Sequence, residues 1–214
     1  MPQIFSKKAN TLPALTLAGL TLGGILSIGA VWYWFSPEFT DVGYAPEQPV
    51  PYSHLQHVGE FGMDCQYCHS YVSESNHSNI PATQTCMNCH TSIRTESLKL
   101  LSVRESWATG DPVPWLKVHH LPDYARFDHS AHVNIGVGCE SCHGRVDKMA
   151  VVSQTEPLSM GWCLDCHRNP GPDIRPADVS VTQMDWEPDE EHSLTVTPLG
   201  REVDPPLHCS GCHR

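Results

Sequence analysis

The chain has 214 residues and a formal net charge of -11, with 24 acidic residues against 13 basic ones. This acidic balance disfavours nucleic acid as a partner and favours cationic partners. The 18 prolines and 15 glycines indicate a loop-rich chain of short helices, in which strand alternation is hard to find.

The first predicted element is a membrane-spanning helix. Residues 1–11 form a short polar N-terminus with Lys7 and Lys8, and residues 12–35 then run without a charge. This apolar run is long enough to cross a bilayer, and it ends in the aromatic group 32–35, which is typical of the membrane interface. The positive-inside rule puts the two lysines in the cytoplasm, so we expect the rest of the chain on the outer, periplasmic side of the cytoplasmic membrane.

A cleaved signal peptide is the alternative reading of this segment. The apolar run is longer than a signal peptide requires, and it lacks a clean A-x-A cleavage site. Gly19 and Gly23 form a G-x-x-x-G pair with Gly24 beside it, and small residues at this spacing allow close helix packing in a membrane. Residues 36–51 contain four prolines and are predicted to be an extended linker. The sequence therefore favours a retained single-pass anchor with an integral membrane partner.

Beyond the linker, the motif C-x-x-C-H occurs five times and uses all ten cysteines. The motif is typical of haem c attachment, in which two thiols bind the haem covalently and the following histidine ligates the iron. A zinc half-site or a redox pair explains one C-x-x-C, but not a histidine directly after all five. The predicted attachment residues are Cys65, Cys68, Cys86, Cys89, Cys139, Cys142, Cys163, Cys166, Cys209 and Cys212. The predicted proximal iron ligands are His69, His90, His143, His167 and His213.

Five haem c groups leave too little protein per haem for a conventional apolar core. We therefore expect the haems themselves to form the interior, with short helices and loops wrapped round them. The predicted fold class is mainly α and irregular, a multihaem cytochrome c with one N-terminal transmembrane helix.

An internal repeat precedes two of the five motifs. An aromatic residue, one further residue and H-x-x-H stand at 52–57 before Cys65, and again at 127–132 before Cys139. Each of these motifs is followed at short range by a second one, which indicates a duplicated two-haem unit. The predicted divisions are a first two-haem module with its connector at 52–126, a second two-haem module at 127–170, and a C-terminal segment with haem 5 at 171–214.

The repeated histidine pairs are predicted to supply the sixth ligands of low-spin haems. Two histidines three residues apart share one helix face and yet reach different neighbours. The pattern resembles the small multihaem cytochromes of the c3/c7 type, in which the first histidine of the pair serves the next haem and the second serves another. The resemblance implies His54 on haem 1, His129 on haem 3 and, most simply, His57 and His132 on haems 2 and 4.

The fifth haem needs a distal ligand from elsewhere in the chain. His119, just before the second module, is the first choice, because His208 directly precedes Cys209 and is too close to its own haem. Met160 lies close to haem 4 and competes as a distal ligand, and a thioether would raise that haem's potential above that of a bis-histidine haem. A haem without a sixth ligand would instead indicate catalysis.

The whole layout resembles the membrane-anchored pentahaem cytochrome c subunit of alternative complex III. The matching stretches are the N-terminal helix, YSHLQHVGEFGMDCQYCH, IPATQTCMNCH, KVHHLPDYARFDHSAHVNIGVGCESCHGRVDKM, PLSMGWCLDCHRNP and PPLHCSGCHR. The resemblance implies an electron-transfer subunit of a respiratory-chain quinol oxidoreductase, with no catalytic residue of its own. The implied partners are integral membrane quinol-binding subunits, an iron–sulfur subunit, a monohaem cytochrome c, and a soluble electron acceptor or terminal oxidase.

Two other functions fit part of the pattern. Quinol dehydrogenases of the tetrahaem type also have one N-terminal helix and several C-x-x-C-H motifs, and their haem subunit helps to form the quinol site. A haem near the membrane with a weak or absent distal ligand would favour that function. Multihaem nitrite reductases commonly carry an attachment motif that ends in lysine, whereas all five motifs here end in histidine.

Overall fold

The computed structural model of the chain describes residues 6–188, 200 and 202–213. Parts of the predicted N-terminus 1–11 and of the predicted C-terminal segment 171–214 therefore lie outside the described residues. The chain divides into two compact units, Met1–Asp41 and Val42–Arg214. Within the described ranges the regular elements are helices, and the β-structure is limited to isolated bridges, which include Ala125–His213 and Val137–Ile174. The mainly α and irregular fold class is confirmed at this level.

The first unit is built on one long helix, α1 (Leu12–Phe35), which follows a 3-10 turn at Lys7–Thr11. Its 24 residues make it about 36 Å long at 1.5 Å per residue, longer than the roughly 30 Å hydrocarbon layer of a bilayer. None of its residues is buried, and it is the one helix in the described part of the chain that is long and apolar enough to cross a membrane. The helix ends at Ser36, because the following Pro37 pushes that residue into extended backbone.

The segment predicted as an extended linker differs in the structure. Residues Pro37–Thr40 form a short helix, α2, whose Phe39 ring lies 5.3 Å from the ring of Trp32. From residue 42 onward the segment belongs to the second unit, where the Gly43 amide donates to the carbonyl of Gln154. Val50 is buried. The prolines at 46, 49 and 51 therefore mark irregular backbone that belongs to the second unit, whereas Pro37 lies in the short helix of the first.

The second unit consists of short helices joined by irregular backbone. Its α-helices are α3 (Cys65–Cys68), α4 (Thr83–His90), α5 (Leu101–Thr109), α6 (His129–Asn134), α7 (Glu140–His143), α8 (Met160–Arg168) and α9 (Cys209–Cys212). A π-helical turn lies at Leu55–Glu60, and 3-10 turns lie at Leu98–Leu100, Val146–Lys148 and Gly171–Asp173. Every C-x-x-C-H motif overlaps one of these helices, so its two cysteines, three residues apart, lie on one face.

The apolar interior of the second unit is small. A cluster of Val50, Met87 and Val103 joins α4 to α5, with partly buried Trp115 packed against it. Among the described residues the other buried apolar side chains are Val137 and Ile174. Such a core is small for a unit of this length. That haem supplies most of the interior stays a prediction.

We expect Val103→Ala to lower the free energy of unfolding by about 2 kcal/mol, because the side chain is 2% exposed and its removed methyl groups leave a cavity. Thermal unfolding of the haem-containing protein, followed by circular dichroism, measures the loss. Leu98→Ala is the matched control, since this leucine is 84% exposed. Equal losses in the two variants would contradict a core between α4 and α5.

Candidate haem-binding site

Four of the five motif histidines hold their rings by the same kind of contact. In each, Nδ1 donates to a backbone carbonyl oxygen, because a carbonyl can only accept. The carbonyls and distances are Asn79 for His69 at 2.6 Å, Ile93 for His90 at 2.9 Å, Pro206 for His167 at 2.9 Å and Tyr124 for His213 at 3.2 Å. Protonation at Nδ1 leaves Nε2 with a free lone pair, which is the tautomer that binds a metal. Nε2 of each of these four rings is therefore available to bind a metal.

His143, in the third motif, is the exception. Its Nδ1 lies 3.3 Å from Nε2 of His119, and the two rings meet edge to face at 4.4 Å. Burial lowers the pKa of His143 to about 3, and the neighbouring His119 acts in the same direction. Burial also lowers the pKa of His119. Both imidazoles are therefore neutral at neutral pH. His119 thus contacts the third motif, whereas the sequence argument assigns it to haem 5.

The repeated aromatic–x–H-x-x-H sequence forms a repeated structure. In each copy the aromatic ring stacks on the second histidine and meets the first one edge-on. The stacked pairs are Tyr52–His57 at 4.4 Å and Phe127–His132 at 4.6 Å, and the edge-on pairs are Tyr52–His54 at 4.8 Å and Phe127–His129 at 4.7 Å. The second histidine of each copy also donates from Nδ1 to a carbonyl four residues earlier, at 2.9 Å for His57 and 2.8 Å for His132. The aromatic residue thus fixes the directions of both imidazoles.

Three of the repeated histidines face a motif histidine across a similar gap. The ring centroids are 6.3 Å apart for His57 and His90, 6.3 Å for His129 and His143, and 6.1 Å for His132 and His167. Metal–imidazole bonds of about 2 Å on each side account for most of such a gap, and the radii of the two rings account for the remainder. The centroid distances therefore have the size needed for an iron between each pair, in the combinations that the c3/c7 resemblance implies for haems 2, 3 and 4.

His54 belongs to the first motif by its surroundings. Burial lowers its pKa to about 4, with His69 and His57 acting in the same direction, so the imidazole is neutral. Its Nδ1 is buried and has no hydrogen-bond partner within the protein. A buried imidazole nitrogen without a partner is rare in proteins. If Nε2 of the same ring binds a metal, that bond explains why the imidazole is buried. The arrangement fits the predicted pairing of His54 with His69.

The fifth motif is less complete. His213 lies beside Tyr124, with ring centroids 5.9 Å apart, and pairs with Ala125 in an antiparallel bridge. In the described part of the chain no ring contact joins His213 to another histidine, and Met160 is 65% exposed at the start of α8. His120 shares the arrangement of the predicted ligands, because its Nδ1 donates to the carbonyl of Leu121 at 2.8 Å. Sequence reasoning passed over His120, and the orientation of its ring adds it to His119 and Met160 as a candidate.

Cysteine side chains of different motifs lie close to one another. The hydrogen bond to Cys65 and burial raise the pKa of Cys139, and the same hydrogen bond lowers the pKa of Cys65. Burial and then Cys163 raise the pKa of Cys142 to about 12. Burial and then Cys86 raise the pKa of Cys68, and burial and then Cys212 raise that of Cys163. The five motifs are therefore neighbours in one cluster.

The arrangement does not suit zinc. Over residues 6–188, 200 and 202–213, no group of three or more His, Cys, Asp or Glu side chains converges on one point. A structural zinc site needs four such ligands. Pairs of imidazoles with a gap between them instead suit an iron whose other four ligands come from a macrocycle.

Asp128 caps helix α6 and thereby places both histidines of the second repeat. Its carboxylate accepts from the Ser130 hydroxyl at 2.7 Å and from the amides of Ser130 and Ala131 at 2.9 and 3.4 Å. We expect Asp128→Ala to lower the free energy of unfolding by about 1 kcal/mol and to broaden the EPR signals of the haems that His129 and His132 are predicted to serve. Asp128→Asn keeps a capping oxygen and is expected to do neither. Unchanged EPR signals in the alanine variant would contradict a positioning role for the cap.

No family model matches the chain. A stretch of 120 residues is 32% identical to the menaquinone reductase, multihaem cytochrome c subunit, of Nitratidesulfovibrio vulgaris, strain Hildenborough. That protein is a multihaem cytochrome c subunit. The match covers 55% of this chain and 55% of the relative, so the chain spans about half the length of the curated relative it matches. The similarity supports a multihaem cytochrome c.

Proposed function

We propose that this chain is the electron-transfer subunit of a membrane quinone oxidoreductase complex, and that it carries five haem c groups. The observation that carries the proposal is the set of three imidazole pairs, 6.1–6.3 Å apart, each made of a C-x-x-C-H histidine and a repeated histidine. Haem iron supplies reversible one-electron exchange. The chain itself makes and breaks no substrate bond.

In this proposal the residues of the chain hold the haems and set their potentials. The ten cysteines attach the macrocycles, and the motif histidines and H-x-x-H histidines ligate the irons from opposite sides. The carbonyls of Asn79, Ile93, Pro206 and Tyr124 fix the proximal imidazoles by accepting from Nδ1. Such hydrogen bonds raise the basicity of a ligating imidazole and so tune the metal. The distal ligand of haem 5 is left open between His119, His120 and Met160.

We further propose that the haems lie in the spatial order 2–1–3–4–5. Within each module one H-x-x-H serves two haems, which makes haem 1 a neighbour of haem 2 and haem 3 a neighbour of haem 4. Cys65 and Cys139 shift each other's pKa, so the two side chains lie close together, which supports contact between haems 1 and 3. The Ser130 amide and the Asn134 side chain of α6 also donate to carbonyls of Ser75 and Ser73, just after the first motif.

The last step of the order is supported by the C-terminal segment. His167, the proposed proximal ligand of haem 4, donates to the carbonyl of Pro206, three residues before Cys209. Cys212 raises the pKa of Cys163, after the larger effect of burial. Haem 5 therefore lies next to haem 4, and the two ends of the series are haems 2 and 5. Electrons enter at one end and leave at the other.

The anchor and the partners complete the proposal. Helix α1 crosses the cytoplasmic membrane once with its N-terminus inside, and the second unit carries the haems on the periplasmic side, with the divisions 52–126, 127–170 and 171–214. The resemblance to the pentahaem subunit of alternative complex III favours quinol-binding membrane subunits, an iron–sulfur subunit and a monohaem cytochrome c as partners. Electrons then flow from quinol to a periplasmic carrier or a terminal oxidase.

A second candidate function reverses the direction. The matched relative is named as part of a menaquinone reductase, which favours a subunit that receives electrons from a periplasmic donor and delivers them toward menaquinone. Stopped-flow mixing of the oxidised complex with a menaquinol analogue, and separately with a reduced soluble cytochrome, separates the two. Fast haem reduction by the quinol favours the first direction, and fast reduction by the cytochrome alone favours the second.

The experiment that tests the proposed function combines haem counting with spectroscopy. We expect five haems per chain in a pyridine haemochrome assay, five low-spin EPR signals, and no carbon monoxide difference spectrum after reduction. Near-infrared magnetic circular dichroism then decides between bis-histidine and histidine–methionine ligation of haem 5. A high-spin haem that binds carbon monoxide would overturn the pure electron-transfer function and favour direct quinol contact or catalysis at that haem.

A further inference from the structure

Arg175 is the most deeply buried large charged side chain in the described part of the chain, with 1% exposure. Its Nη2 lies against the carboxylate of Glu140 and donates to the carbonyl of Gln183 at 2.6 Å, and its Nη1 donates to the carbonyl of Ser180. The ring of Trp186 lies 5.3 Å from the guanidinium carbon. A buried ion pair is weak evidence for stability by itself, so its position calls for a functional reason.

That position is the third haem motif. Glu140 directly follows Cys139 inside the third C-x-x-C-H motif, so its backbone borders the proposed haem 3. A Cβ atom on Gly138 would lie 2.6 Å from Nε and 2.7 Å from Nη2 of Arg175, which puts the guanidinium directly against the backbone before Cys139. The pair therefore flanks the attachment point of haem 3 on both sides.

Each charged group keeps one buried atom that makes no hydrogen bond. Arg175 Nε and Glu140 Oε2 are both buried and lack a hydrogen-bond partner within the protein. Charges in a low-dielectric interior act over longer distances than charges in water.

Arg175 also holds the loop that touches the first and third motifs together. The loop residue Val181 accepts from the amide of Cys139 at 3.0 Å. The hydroxyl of its neighbour Thr182 donates at 2.8 Å to Asp64, which caps the helix of the first motif. The guanidinium binds carbonyls on both sides of this point, at Ser180 and Gln183. The ion pair thus lies at the junction between the two proposed modules.

We propose that Arg175 and Glu140 set the reduction potential of haem 3, with Arg175 raising it and Glu140 lowering it. The proposal rests on the proposed function in that Cys139 and Cys142 must carry a haem. Reduction adds one electron to the iron, so a nearby cation favours the reduced form and a nearby anion favours the oxidised form. Neither Arg175 nor Glu140 ligates the iron, so both act on haem 3 only through their charges.

The test is an EPR-monitored redox titration of the full-length protein in detergent. In Arg175→Gln we expect the equilibrium constant for reduction of one low-spin haem to fall at least tenfold, which lowers its reduction potential by at least 59 mV for one electron. In Glu140→Gln the same signal is expected to shift by a similar amount in the opposite direction, and the double variant is expected to lie near the parent. Shifts of the same sign, or no shift in Glu140→Gln, would overturn the proposal.

Two further variants keep the outcomes separate. His129→Met identifies the haem 3 signal, because it replaces the proposed distal ligand of that haem; if no low-spin signal changes, the proposed ligation fails and not the role of the ion pair. Arg175→Lys retains the charge and loses the planar fork, so it is expected to lower thermal stability and leave the haem 3 potential near the parent value. A potential that falls in Arg175→Lys as far as in Arg175→Gln would make the effect structural. Glu140→Gln keeps the shape of the side chain and provides the test even if Arg175→Gln does not fold.

Discussion

Replacing Cys163 and Cys166 with alanine is expected to leave four haems per chain and to change the redox behaviour of two of them. The thioether bonds of haem 4 need these two thiols, and the other four motifs keep theirs. In the proposed order haem 4 lies between haems 3 and 5. An electron on one haem lowers the potential of the next by Coulomb repulsion, so both neighbours lose that influence.

The matched control removes a haem from the end of the proposed order. The variant Cys86→Ala with Cys89→Ala is also expected to retain four haems, but only haem 1 loses a neighbour. Intact mass and the pyridine haemochrome assay count the haems, and EPR-monitored redox titration follows the remaining signals. If the haem 2 variant changes two signals and the haem 4 variant changes one, the order 2–1–3–4–5 is wrong.

Placing two arginines in α1, at Leu22 and Ile25, is expected to remove the chain from the membrane. Both residues lie near the middle of Leu12–Phe35 and are 59% and 63% exposed. An arginine at the centre of a membrane helix costs roughly 3 kcal/mol on insertion scales, so the double variant loses about 6 kcal/mol. Fractionation of cells followed by alkaline carbonate extraction, with detection by haem staining, measures the retained fraction.

The control for this helix keeps its apolar character and changes its shape. Leu22→Phe with Ile25→Phe is expected to stay in the carbonate-resistant fraction. If the arginine variant also stays there, α1 is not the anchor, and the chain is held by its partners. If the parent chain lacks residues 1–35 on N-terminal sequencing, the segment is a cleaved signal peptide.

Patterns with a strong period or a fixed spacing were enough to predict part of this structure. The uncharged run 12–35 predicts a helix with the bounds that α1 has, because nothing in the run interrupts it and Pro37 stops it. The repeat at 52–57 and 127–132 likewise predicts two equivalent turns, and the structure stacks Tyr52 and Phe127 in the same way. Local sequence decides both features.

The remainder depends on contacts between distant residues that carry no sequence signature. The carbonyl that orients His213 belongs to Tyr124, 89 positions earlier, and every residue has a carbonyl. The sequence predicts His119 as a ligand of haem 5, whereas the fold places its ring against the ring of His143 in the third motif. Nothing in the sequence distinguishes Arg175 from an exposed loop arginine, and its burial depends on the contact of its loop with the third motif. Proline content likewise predicts irregular backbone at 36–51, but it does not say which residues of this segment belong to the second unit.

The carbonyl contacts of the motif histidines also have a consequence for biogenesis. If the five motifs carry haem as proposed, the covalent attachment of each haem needs only the five consecutive residues of its motif. The final setting of two proximal rings must wait, because His167 is held from Pro206, 39 residues later, and His213 from Tyr124. A chain that ends before residue 206 is therefore expected to carry haem 4 with a loose axial ligand.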